Sequence, residues 1–294
     1  MLHSRLAAIV LSLLLSPLCL RAQCGQDHRS NKNGGILVTD FNISGTKNVS
    51  ATELADMTGD FVGSCFNEDS EEMGERVRAV FQDRGYFAIE VKHVTVKPGD
   101  PLGIPKPVTM EIDVSEGPRY RLANITFVDS HAFSSERLRQ AFPLKSGDVF
   151  ERGKVASGLE SLRQLYSKDG YLDFVSVPDT EPASNATMSL KISVTEGPQY
   201  HMGNLEIAAA KEAAGRLRME WKLQPGAVYD SSYLDKYIEA NRDLLPTTFT
   251  RDSAQMAYDC PHAVIDLKLV IDPVEDKSPP PKGVPCESAK DKPR

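Results

Sequence analysis

The residues with most capacity for chemistry lie at Asp259-Cys260-Pro261-His262, where a thiol and an imidazole stand close together in the chain. A cysteine nucleophile needs a contacting base, an activated thiolate and a third group that orients the base. On an extended segment Cys260 and His262 point to the same side, but no orienting group is evident, and the remaining histidines of the six are scattered. No catalytic residue is assigned. The five cysteines show no Cys-x-x-Cys spacing, which argues against zinc binding and thiol exchange, so neither a metal nor a cofactor is expected. Nucleotide cradles and Gly-x-Ser-x-Gly elbows are missing from the sequence, and the acidic side chains read as a solvated surface.

Cysteine placement speaks to compartment rather than catalysis. Residues 1–5 form a short basic lead, 6–20 an apolar run, and Ala22 precedes a possible cleavage point, so 1–22 reads as a signal peptide and 23–34 as an N-terminal arm. Cys19 falls in the leader, and Arg21-Ala22-Gln23 lacks the small residues expected before a lipidated Cys24. Four cysteines in an oxidising compartment permit two disulfides in any of three pairings. Proximity favours Cys24–Cys65 and Cys260–Cys286, with unpaired thiols as the alternative. No later segment approaches the roughly 20 apolar residues of a membrane helix, and the tail is too short to supply even an eight-stranded barrel.

The chain has 294 residues, 40% hydrophobic and 26% charged, with a formal charge of -7. That composition excludes disorder throughout, and without a basic run it offers no surface for nucleic acid. Val114-Ser-Glu-Gly-Pro-Arg-Tyr120 returns as Val194-Thr-Glu-Gly-Pro-Gln-Tyr200, Gly85-Tyr-Phe87 as Gly170-Tyr-Leu172, and Leu144-Lys-Ser-Gly-Asp-Val-Phe150 as Leu223-Gln-Pro-Gly-Ala-Val-Tyr229. Matches in one order at a spacing of about 80 residues mark tandem domains, placed at 35–118, 119–199 and a divergent 200–274. A proline-rich polar tail, 275–294, reads as a spacer or terminal arm.

Each unit changes periodicity in a fixed order. In the middle one a strand at 120–127 is followed by a short helix at 134–142 and a longer helix at 151–168 with Val155, Leu159, Leu162 and Leu165 on one stripe. Strands at 171–177 and 188–194 close it, the latter with Met188, Leu190, Ile192 and Val194 on one face. The first unit repeats this at 36–43, 50–57, 69–84, 86–96 and 108–114, with Cys65 in the place of Val149. The third keeps helices at 211–221 and 231–245 and a strand at 263–271, but Leu245-Pro-Thr-Thr-Phe249 replaces the Gly-Tyr junction. The predicted class is α+β: tandem β-α-α-β-β units, each a three-stranded sheet packed on one face by two antiparallel helices.

These repeats resemble the polypeptide-transport-associated (POTRA) domains over about 35–274. The resemblance rests on Gly147 and Phe150 in the loop, Leu159 and Leu162 in the second helix, Gly170-Tyr171, and Val194 with Glu196-Gly197-Pro198 at the exit. It implies a non-enzymatic periplasmic module for outer-membrane protein assembly or translocation, whose partners would be an outer-membrane barrel protein, its unfolded precursor or other envelope subunits. It also implies a bacterial host, in which the sequons at Asn42, Asn48, Asn124 and Asn185 carry no glycans. An open sheet edge adds an extended peptide as a further strand. The expected edge is Tyr171, Leu172, Phe174, Val175 and Val177 in the middle unit and Tyr86, Phe87, Ile89 and Val91 in the first, with Leu159 and Leu162 lining a groove. Gly147, Phe150, Gly170, Gly197 and Pro198 are expected to be structural. The bland alternative puts Tyr171 and both leucines in the core. A structural spacer subunit of an envelope complex and a hidden hydrolase are the competing functions.

Overall fold

Polar side chains set where the helices begin. Ser50 accepts the Glu53 N–H (3.2 Å), Asp69 accepts those of Glu71 and Glu72 (2.9 and 3.0 Å), and Ser134 accepts that of Arg137 (3.3 Å). Each satisfies orphan donors in a first turn. The computed structural model describes residues 36–67, 69–272 and 279–282. The signal peptide, the arm with Cys24, and the tail residues around Cys286 lie outside the described residues.

The first unit runs β1 (Ile36–Ser44), α1 (Ala51–Thr58), β2 (Cys65–Phe66), α2 (Ser70–Gln82), β3 (Glu90–Pro98) and β4 (Lys106–Ser115). The second runs β5 (Arg121–Val128), α3 (Ser135–Arg139), α4 (Arg152–Lys168), β6 (Val175–Ala183) and β7 (Thr187–Thr195). The third runs β8 (His201–Ala208), α5 (Lys211–Glu220), α6 (Tyr233–Ala240), β9 (Ala254–Asp259) and β10 (Val264–Val270). The sheets order as β2-β1-β4-β3, β5-β7-β6 and β8-β10-β9. The last strand of each unit is internal to its sheet, parallel to the unit's first strand and antiparallel to the strand just before it in sequence.

Each such strand buries alternate residues: Val108, Met110, Ile112 and Val114 in β4, and Met188, Leu190, Ile192 and Val194 in β7. Helical residues at 3.6 spacing meet them, Met73, Val77 and Phe81 from α2 and Val155, Leu162 and Tyr166 from α4. Two strands escape the sequence pattern. β2 is only Cys65 and Phe66, and β9, Ala254-Gln-Met-Ala-Tyr-Asp259, carries no β-branched residue.

The chain forms two compact units that divide after Pro118, so the repeats read as a second and a third domain share one unit. Their junction is bonded through the backbone: Tyr200 donates its N–H to Gly170 O (2.8 Å) and Ser231 to Ser167 O (3.2 Å), while the Ser231 and Ser167 hydroxyls meet at 3.0 Å. Tyr200 also donates its hydroxyl to Asp173 (2.9 Å), and Leu172 packs on the third unit's core.

The expected strand starts are corrected. Residues 86–89 and 171–174 are not strand: Gly85 and Gly170 end their helices at positive φ (91° and 84°), and Tyr86 and Tyr171 return their N–H to Phe81 O and Tyr166 O (3.0 Å each). This is the Schellman cap, whose hydrophobic contact is here an aromatic pair, Tyr86 on Phe81 and Tyr171 on Tyr166. The Gly-Tyr pair therefore belongs to the helix.

Candidate strand-addition edges

Each sheet has two edges, and the chain itself covers the start of one. In the first unit β2 pairs with β1, Leu37 opposite Cys65. In the second, Leu122 donates to Asp148 O (2.8 Å) and Phe150 to Tyr120 O (2.9 Å), bridging Arg121 to Val149. The third repeats this through Met202, Ala227, Tyr229 and Tyr200. Cys65 thus occupies the place of Val149. The other edge, formed by β3, β6 or β9, has no strand partner among the described residues.

These open edges differ. A proline on an edge strand turns its nitrogen to the open side, so Pro178 and Pro182 remove two donors from the outer edge of β6. Register then fixes the faces. Val175 and Val177 pair with Thr195 and Ser193, while Ser176 and Pro178 pair with the buried Val194 and Ile192. Val175 and Val177 accordingly lie on the solvent face, 45% and 58% exposed, and the helix side of β6 shows a serine and a proline.

In β3 the prolines are confined to the terminal Pro98. A bulge between Val91 and His93 puts both Val91 (opposite Val114) and Val94 (opposite Ile112) on the helix side, half-buried. Between β3 and α2 runs a groove of about 470 Å³ lined by Ser70, Gly74, Glu75, Arg78, Val91 and Val94. A Cβ on Gly74 would sit 3.7 Å from Val91 Cγ1 and 3.8 Å from Val94 Cγ2, so glycine leaves the groove floor open beside the strand.

The sequence-predicted edge residues divide accordingly. Val91 lies on β3 and lines the groove. Tyr86 and Ile89 are core residues (2% and 6% exposed), and Phe87 is half-buried before the strand. Phe174 is buried and stacks on Tyr166 with ring centroids 4.0 Å apart, and Tyr171 is half-buried against the same ring. Leu162 is 0% exposed, on the buried face of α4 with Val155 and Tyr166, so it is a core residue; Leu159 is half-buried. Gly147, Gly170 and Gly197 all have positive φ, and Phe150 is fully buried. Gly74 and Val94 escaped sequence reasoning, although an isolated glycine inside a helical pattern is a packing signal.

The exit motif carries a further role. Glu196 Oε1 accepts the N–H groups of His131 and Ala132 (2.8 and 2.9 Å) and the Tyr166 hydroxyl (3.0 Å). Glu116 does the same for Lys47 and Asn48 (2.7 and 2.8 Å). Burial alone would push both carboxyls up, but the backbone donors outweigh it and hold each below the ordinary carboxylate range. Burial and the bond to Glu196 push the Tyr166 phenol up. Each carboxylate pins the loop after its unit's first strand.

At the candidate nucleophile, the Asp259 carboxylate lies 2.9 Å from His262 Nδ1, supplying the orienting group that the sequence did not reveal. Cys260 is disulfide-bonded, as is Cys65, so no thiolate is available there. Among the described residues no group of three or more His, Cys, Asp or Glu residues has metal-holding geometry, and no helix is long and apolar enough to cross a membrane.

The POTRA family model, described as a surface antigen variable number repeat, matches residues 120–197. A Treponema pallidum (strain Nichols) protein described as a candidate outer membrane protein assembly factor is 26% identical over 171 residues, 57% of this chain and 20% of its own length. The outer membrane protein assembly factor BamA of Neisseria meningitidis serogroup B is 22% identical over 183 residues, 56% of this chain and 23% of its own. The chain therefore spans about a fifth of the length of these curated relatives. The crystal structure of Haemophilus influenzae BamA POTRA3-5 superposes with a TM-score of 0.56 at 18% identity, covering 81% of this chain and 96% of that one, which shows the fold. The middle unit is a POTRA domain, and the three repeated units resemble the POTRA regions of bacterial outer-membrane protein assembly factors.

Proposed function

We propose that this chain is a non-enzymatic periplasmic protein-interaction module for outer-membrane protein assembly, receiving extended segments of partner or client polypeptides by strand addition. The observation that carries this reading is the open edge of β3 above the groove floored by Gly74, Val91 and Val94. An added strand would bond to main chain, which suits clients of many sequences, while the groove takes every second side chain. Partners would be an outer-membrane barrel protein, its unfolded precursor or other envelope subunits. We further propose the pairings Cys24–Cys65 and Cys260–Cys286, which would tie both arms to their units. The bonded junction between second and third repeats favours an additional spacer role, since a pair held through the backbone keeps a set separation.

Photocrosslinkers at Thr95 on β3 and Thr180 on β6 test the receiving edge. Unfolded barrel precursor should crosslink at Thr95 and much less at Thr180, and Gly74→Leu, which fills the groove, should reduce the Thr95 product at least tenfold while leaving the fold intact by circular dichroism. Equal crosslinking at both sites, or a Gly74→Leu variant that captures precursor normally, would overturn the assignment.

A further inference from the structure

The hairpin loop between β3 and β4 carries Leu102 and Ile104, 87% and 89% exposed, the most exposed large apolar side chains among the described residues. Exposure here is not looseness. Gly99 donates its N–H to Pro107 O (2.9 Å), Gly103 to Asp100 O (3.1 Å) and Leu102 to Asp100 Oδ1 (2.9 Å). The chain doubles back so closely that a Cβ on Gly103 would lie 2.6 Å from Pro107 Cδ. The loop is built to hold two apolar side chains outward at a convex tip.

The backbone indicates what covers them. Across residues 101–105, Pro101 and Pro105 have no N–H and those of Leu102 and Gly103 are spent inside the loop, which leaves Ile104 as the one donor of the segment without a bond among the described residues. A segment entering lipid must bring few unpaired backbone groups, whereas one that docks by strand addition must offer them. A convex tip also needs a fitted hole in a protein but none in a bilayer. One flanking charge agrees: Lys106 stands exposed at the start of β4, where a long stem can carry its ammonium group to headgroup level. Lys97 is paired with Glu111 (2.5 Å), Lys106 makes no ion pair among the described residues, and the one acid of the tip, Asp100, directs Oδ1 into the loop.

We propose that the Asp100–Pro105 tip is a membrane-interface anchor, with Leu102 and Ile104 entering the boundary between headgroups and acyl chains of a bilayer that contains anionic lipid. This inference is independent of the strand-addition reading and assigns the first unit a second surface.

The test uses the full chain with vesicles of phosphatidylethanolamine and phosphatidylglycerol, and with phosphatidylcholine alone. The double variant Leu102→Ser/Ile104→Ser should lower vesicle partitioning about tenfold or more with an unchanged thermal melt, and Lys106→Glu should weaken binding to the anionic vesicles only. Because other apolar segments of the chain could also bind lipid, a second variant reports the tip itself. The indole introduced by Ile104→Trp should shift its emission to the blue and be quenched by acyl-brominated lipid, against the background of the single native, buried Trp221. An unshifted, unquenched indole, or a double variant that partitions as the parent does, overturns the proposal. A blue shift that needs envelope protein and not lipid also overturns it, in favour of a protein pocket.

Discussion

At the residue scale, Glu116 and Glu196 show what the exit motif does. A carboxylate that accepts two backbone N–H groups replaces water for a loop with no ladder partner, and hydrogen bonds to a charged group contribute about 1.5–3 kcal/mol net. Glu196→Gln should therefore lower stability by about 1–2 kcal/mol, read by chemical denaturation. The sign of the pH dependence follows from the lowered folded value. The unfolded carboxyl titrates near 4.3, so the stabilisation is complete above that pH and is lost as pH falls through the lower folded value. The parent protein should thus lose stability below about pH 4.5 more steeply than Glu196→Gln. Equal slopes would mean that the carboxylate charge contributes nothing.

At the element scale, two glycines with nearly the same backbone predict different costs. Gly147 has φ +90° with nothing within 4 Å of an added Cβ, whereas Gly170 has φ +84° with Tyr200 O at 2.7 Å. Alanine at 147 should cost about 1–2 kcal/mol, the price of a left-handed backbone alone. Alanine at 170 should cost about 1–2 kcal/mol more by crowding a backbone oxygen, and should also weaken the Tyr200–Gly170 bond that joins second repeat to third. Paired denaturation curves decide it, and equal losses would deny the close approach. The same cap explains what was legible. The order strand-helix-helix-strand-strand and the buried face of β7 followed from periodicity, because each apolar stripe meets one partner. The start of β6 did not, because Tyr171, Leu172 and Phe174 have strand-like composition while their positions are fixed by a helix end. That a sheet edge is left without a strand partner was legible in kind, but the difference between β3 and β6 lies in the register that turns Val91 inward and Val175 outward.

At the scale of the whole molecule, the division after Pro118 has a thermodynamic consequence. A junction joined by Tyr200–Gly170, Ser231–Ser167 and Tyr200–Asp173 lets the second and third repeats lose their cores together, while the first unit keeps a core of its own around Val77, Phe81, Met110 and Ile112. Calorimetry should show two transitions, not three. Leu162→Ala in the second repeat and Leu217→Ala in the third each remove a fully buried side chain, at about 2–5 kcal/mol, and both should move the same transition. Phe81→Ala should move only the other. If Leu162→Ala and Leu217→Ala shift separate transitions, the junction does not couple the repeats and the spacer role loses its physical basis. If they shift together, the first unit holds both the proposed receiving edge and the proposed apolar anchor, and the second holds two repeats at a fixed separation. That is the arrangement expected where capture and spacing are carried by different parts of one chain.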